Sequence, residues 1–134
     1  MSRENVERYR RGVDAWNRGA LDEYLEDVSP EWTFIPAGVF PGVAEVYRGR
    51  EGALQLWDDM RGPWDSQGFY FEIERIEDLG DTVLGLCTIR ARGKTSGAET
   101  SMKWAHVATL EGDAIVTRNY ASWDEALEAV GLRE

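Results

Sequence analysis

Apolar residues in the first part of the chain recur with a helical period. Val6, Tyr9, Val13 and Trp16 fall at i, i+3, i+7 and i+10, which predicts an amphipathic helix near residues 3–17. Asn17-Arg18-Gly19 follows and can end it with a left-handed glycine. Leu21, Tyr24, Leu25 and Val28 repeat the pattern in a second, short helix that Ser29-Pro30 stops, because proline disfavours the helical conformation in the residue before it. Residues 31–35 alternate instead, with Trp32 and Phe34 on one side and Thr33 and Ile35 on the other, a short strand closed by Pro36. Residues 36–49 have two prolines and three glycines among apolar residues, the pattern of a long loop that covers a pocket or the core. Ala53, Leu56, Trp57, Met60 and Trp64 then predict a third helix ending near Gly62-Pro63.

Beyond that point the period changes to two. Residues 69–78, 82–92, 99–110 and 114–121 read as four strands. Their separators are short enough for hairpins, so the strands form an antiparallel meander. Ser122 followed by Glu125 fits a capping box, and Trp123, Leu127 and Val130 give a last helix ended by Gly131. Helices ahead of a run of antiparallel strands indicate an α+β fold, a curved sheet wrapped around the N-terminal helices. A chain of 134 residues is one domain, residues 1–134.

Composition narrows the function classes. With 43% hydrophobic and 11% aromatic residues, the chain can build a core. Its net charge of -10 and its longest cationic run, Arg10-Arg11, argue against nucleic acid and anionic membranes as partners. One cysteine and one histidine cannot make an intrachain disulfide or a zinc site, so no metal is expected. No apolar run approaches the ~20 residues of a membrane span, and the charged start gives a cytoplasmic expectation. The nucleophile-elbow, nucleotide-loop and zinc-protease patterns do not occur.

Local text then adds a resemblance. Ala15-Trp16-Asn17-Arg18-Gly19 with Leu21-Asp22, Tyr47-Arg48-Gly49-Arg50-Glu51-Gly52, Ser96-Gly97, His106-Val107-Ala108-Thr109-Leu110 and the segment from Glu125 to Leu132 resemble SnoaL-like members of the nuclear transport factor 2-like superfamily. That superfamily also holds polyketide cyclases, ketosteroid isomerases, scytalone dehydratase and limonene epoxide hydrolases. The resemblance implies a cone-shaped, cystatin-like α+β barrel with a mostly apolar pocket between sheet and helices. It also implies a homodimer through the outer face of the sheet and chemistry without a cofactor. It specifies no reaction, because the fold hosts many.

His106 is the single histidine, and on strict alternation it shares the inward face with Met102, Trp104, Ala108 and Leu110. An imidazole there can act as acid, base or oriented donor, or be a satisfied core histidine. Alignment on the ketosteroid isomerases places it near their protonated oxyanion-hole acid. The same comparison puts Ile35 at their proton-moving aspartate, Gly12 at their oxyanion-hole tyrosine with Tyr9 one turn away, and Trp57 at a pocket tyrosine. Steroid isomerisation by that mechanism is therefore disfavoured.

A three-residue loop at Glu111 to Asp113 would set Arg118 opposite His106 and Tyr120 opposite Trp104, whereas a two-residue turn at Gly112-Asp113 would bring Asn119 beside His106. The first register is favoured, since Tyr120 then resembles a pocket-lining residue of the family. His106, Tyr120 and Arg118 are the expected catalytic residues, and Tyr9, Trp16, Trp57, Met102 and Trp104 the expected substrate contacts. The ligand is a small apolar or aromatic molecule, polycyclic ones included. The chemistry expected of an enzyme is isomerisation, dehydration or cyclisation by proton transfer; the rivals are a non-catalytic binding or assembly module and an epoxide hydrolase using Arg118 and Asp14. Arg90 reads as exposed and Cys87 as an inert buried thiol.

Overall fold

The computed structural model describes residues 2–40, 42–62 and 70–132. The predicted element order holds but for one added strand. Helix α1 spans Ser2–Arg18 and α2 spans Leu21–Leu25. Gly19 terminates α1 with φ 69°, its N–H donating to the Trp16 carbonyl. α2 is shorter than predicted, yet Val28 still packs on the core beyond its end. Strand β1, Thr33–Ile35, is followed by the loop and then by a two-residue strand β2, Tyr47–Arg48, which the sequence pattern had placed inside the loop. Helix α3 covers Gly49–Arg61, and Trp64, expected on its apolar stripe, lies outside the described residues.

The meander is β3 (Tyr70–Asp78), β4 (Thr82–Arg92), β5 (Glu99–Glu111) and β6 (Ala114–Tyr120), with α4 at Trp123–Ala129. Ser122 caps α4 by accepting from the Glu125 N–H. The six strands form one curved, unclosed sheet in the order β2-β1-β6-β5-β4-β3. Neighbouring strands pair antiparallel except β1, which runs parallel to β6.

Alternation along the strands divides the molecule into two sides. On the inner face, Val83, Cys87, Ile89, Trp104, Ala108 and Leu110 meet α1, the loop and α3. On the outer face, Leu84, Leu86 and Ala105 are covered by Ala126 and Leu127 of α4. Other outer positions carry polar residues, among them Arg90, which is exposed and paired with Glu72 at 2.9 Å, while Val116 and Tyr70 are exposed apolar ones.

The β5–β6 hairpin turns at Gly112-Asp113, with Glu111 opposite Ala114, so the two-residue register is the one adopted and the three-residue one is overturned. Gly112 has φ 60°, the left-handed conformation that tight hairpin turns demand at their first central residue. His106 therefore stands opposite Asn119, Val107 opposite Arg118 and Ala105 opposite Tyr120.

Candidate functional site

A cavity of about 130 Å³ lies between the inner face of the sheet and the helices. Helix α1 presents Arg8, Tyr9, Gly12, Val13 and Trp16 to it, and Tyr24, Asp27 and Val28 face it from α2 and the turn after it. Trp32 and Phe34, Leu56 and Met60 of α3, Phe71 of β3, and Ala108, Leu110, Ile115 and Thr117 of the last hairpin complete the wall. The exposed surface of that wall is overwhelmingly apolar. Its two charged members are engaged elsewhere: an Arg8 N–H donates to the Gly112 carbonyl at 3.1 Å, and Asp27 lies 3.6 Å from Arg11.

Tyr9 links this cavity to a sealed cluster beside it. Its hydroxyl is hydrogen-bonded to His106 Nε2 and stands 3.4 Å from Cys87 Sγ, with Cys87 Sγ 3.8 Å from the same nitrogen. The phenol reaches these partners because β4 carries Gly85 at the point of contact. A Cβ there would overlap the Tyr9 hydroxyl, stand 2.6 Å from the ring carbon bearing it and 3.0 Å from the His106 ring. Glycine inside a strand is costly unless another group must approach the backbone closely, and Tyr9 is that group.

Burial sets the charge state of the cluster. His106 is 6% exposed, and desolvation pushes its pKa down from 6.5 to about 4, so the ring is neutral at physiological pH. Burial raises Cys87 to about 11, against a smaller lowering by its contact with Tyr9, and it raises Tyr9 well above the ordinary phenol value. Among the described residues, no group reaches His106 Nδ1. An orphaned lone pair is tolerated better than an orphaned N–H, which favours the tautomer in which Nε2–H donates to Tyr9 and the Tyr9 hydroxyl donates to sulfur.

Asn119 completes the sealed side. It is 1% exposed; its amide oxygen accepts from Trp104 Nε1 at 2.8 Å and its amide nitrogen donates to the Ile35 carbonyl at 3.0 Å, tying β6 to β5 and β1. Trp104 sits edge-on to His106 at 5.1 Å and to Phe40 of the loop at 5.9 Å, so that half of the interior is filled.

The expected site residues are divided by this arrangement. Tyr9 and Trp16 line the cavity, and His106 faces inward, one residue behind Tyr9. Trp104 belongs to the filled half, and Trp57 lies a ring away from the cavity, 5.1 Å from both Trp16 and Tyr24 with the Arg61 guanidinium 4.4 Å over it. Met102 keeps the inward parity but is 39% exposed, away from the cavity wall. Arg118 and Tyr120 are corrected outright: the hairpin register turns both to the outer face, Arg118 into solvent and Tyr120 beneath α4. Asp14 is exposed and bonded to Arg18 at 2.8 Å. Epoxide hydrolysis in the style of the limonene enzymes calls for two carboxylates and an arginine on one water, and among the described residues the cavity wall holds one carboxylate, Asp27.

Sequence reasoning missed Arg8, Tyr24, Asp27, Val28, Thr117 and Gly85. For Gly85 a signal existed, a lone glycine in the apolar run from Val83 to Ile89.

The SnoaL-like domain model matches residues 9–118, which takes in the second half of α1, the cavity wall except Arg8, and the sheet up to Arg118 of β6. The chain belongs to the SnoaL-like domain family. No curated protein matches it in sequence. Among solved structures, this SnoaL-like chain is similar to Bal32a from a soil-derived mobile gene cassette, at 19% identity over 89% of each chain with TM-score 0.76. It is also similar to TerC co-crystallized with polyporic acid, at 14% identity over 95% of this chain and 98% of that one with TM-score 0.74. A third is AclR, a putative hydroxylase from Streptomyces galilaeus, at 15% identity over 100% and 89% with TM-score 0.71. At these identities the likeness is one of fold.

Proposed function

We propose that the protein binds a small, largely apolar molecule in the cavity bounded by α1, α2 and the last hairpin. The observation that carries this is the wall itself: a concave space lined by Tyr9, Trp16, Tyr24, Trp32, Phe34 and Phe71, with few polar groups facing it. A fold neighbour crystallised with polyporic acid is in keeping with such a role.

A second reading is proton-transfer chemistry of the isomerase, dehydratase or cyclase type without a cofactor. It is favoured by one contact, the hydrogen bond between Tyr9, a wall residue, and His106. In this reading Tyr9 meets the ligand from the wall, its hydroxyl turns out of the sealed cluster to reach the reacting atom, and His106 is a positioning residue acting through it. Arg118 and Tyr120 have no part. Pairing of two copies through the outer face belongs to the same proposal.

Trp16 and Trp32 on the wall make tryptophan fluorescence the natural test, titrating single-ring hydrocarbons, polyketides, terpenes, steroids and aromatic acids, with mass spectrometry and NMR on each responding mixture. Quenching with the ligand recovered unchanged in both mass and NMR spectrum supports binding alone. Quenching with a new mass or a new isomer establishes turnover, and Tyr9→Phe should then abolish the conversion while leaving quenching in place. No response from any compound overturns both readings.

A further inference from the structure

Gly12 lies in the interior of α1 and forms part of the cavity wall. Glycine inside a helix is destabilising relative to alanine, since the unfolded chain gains freedom that folding must remove. Two structural reasons commonly retain one there, a left-handed backbone or a neighbour too close for a Cβ. Neither applies. Gly12 is not among the residues with positive φ, and beyond its chain neighbours and the backbone of its own helix no described atom lies within 4 Å of where its Cβ would stand.

At ~100° per residue, position 12 is about 60° around the helix from Tyr9 and about 40° from Trp16, on the Arg8 side. A side chain there would project beside those two rings, both of them cavity walls. The open space that it would enter is the cavity.

We infer that Gly12 is a specificity-determining residue, whose missing side chain makes the room that the ligand's apolar body fills, and that the ligand class is neutral and compact, about one ring in size. This rests on the binding reading above. The size follows from volume, since a dry apolar cavity of about 150 Å³ takes up benzene. Neutrality follows from the wall: Arg8 and Asp27 already have surface partners, and an ion buried among aromatic rings without a counter-charge is strongly disfavoured.

The test compares the full chain with Gly12→Ala and Gly12→Leu, using benzene, p-xylene, naphthalene and benzoate. Amide chemical shifts read affinity, and thermal unfolding reads the helix. Benzene and p-xylene should bind the wild type, with naphthalene and benzoate weaker. Gly12→Ala should lose about tenfold in p-xylene affinity, the scale of one methyl group in an apolar pocket. Gly12→Leu should lose saturable binding. Both variants should melt no lower than the wild type.

If Gly12→Leu binds p-xylene as tightly as the wild type, or Gly12→Ala melts lower, the assignment of Gly12 is overturned and the binding reading stands. Preference for naphthalene or benzoate overturns the ligand class. Failure of all four probes on the wild type overturns this inference and the binding reading together. Should Gly12→Leu fail to fold, the affinity and melting of Gly12→Ala decide.

Discussion

On one side of Tyr9 the interior is hollow, and on the other it is solid, although both sides are built from the same kinds of residue. The solid side holds Trp104, Phe40, Cys87, Asn119 and His106, each polar atom but one paired. The hollow side is walled by more aromatic rings, those of Tyr9, Trp16, Tyr24, Trp32, Phe34 and Phe71, and still leaves about 130 Å³. Aromatic richness therefore does not by itself fill an interior. Two glycines account for the contrast: Gly85 on β4 is filled from outside by the Tyr9 phenol, whereas Gly12 on α1 faces nothing. One missing side chain closes the interior, the other keeps it open.

The largest effect should come from breaking the solid side. In Gly85→Ala the new Cβ overlaps the Tyr9 hydroxyl, and the phenol must leave its slot, losing His106 and Cys87 together. A destabilisation of about 3 kcal/mol is expected, read by urea unfolding. In a double-mutant cycle with Tyr9→Leu most of that loss should vanish, because the overlapping group is gone. Additive losses would mean that Gly85 serves the backbone of β4 and not Tyr9.

Next in size is a dependence on pH. The His106 pKa is held near 4 by burial, below the ordinary 6.5, so on acidification the unfolded chain binds a proton that the folded chain refuses. Stability from this group is present above the unfolded pKa and is lost as pH falls towards the folded one. Between pH 8 and pH 5 the loss is about 2 kcal/mol. The facing groups, Tyr9 and Cys87, are both pushed upward and stay neutral across this window. Every other group is common to both proteins, so the difference between the wild type and His106→Leu isolates the imidazole. Parallel urea-midpoint curves for the two would show that His106 is solvated.

Much of the hollow and solid sides could be read from the sequence, and the rest could not, for physical reasons. Helix α1, the four meander strands and the cap of α4 follow from local periods and turn residues, which need no distant partner. Tyr9 and Trp16 were placed on the wall because they lie on the stripe of α1. Strand β2 has two residues, and β1 runs parallel to β6 some 80 positions further on; such pairings leave no local period. The hairpin register turned on a single residue, Gly112, and a slip of one position exchanges every inward side chain for an outward one. That exchange moved Arg118 and Tyr120 outside and put Asn119 behind Trp104. Gly85 signals that something approaches β4, but the approaching group lies on a helix 76 positions earlier.

The smallest effect sharpens the comparison from the hollow side. Tyr24 lines the cavity, yet its hydroxyl is buried and has no hydrogen-bond partner among the described residues, and burial raises its pKa. On the solid side the Tyr9 hydroxyl has two partners, so the same atom carries opposite energetics in the two halves. Removing an unpaired buried hydroxyl removes its desolvation cost while keeping the ring, and Tyr24→Phe should gain about 1 kcal/mol. In a domain of this size that is a rise of about 4 °C in Tm. Because the oxygen is covered by protein and does not face the open space, p-xylene affinity should stay within about twofold, less than half a kcal/mol. A fall in Tm would show that the hydroxyl holds an ordered water, making the cavity wet at that end, and a polar ligand would then fit there better than a hydrocarbon.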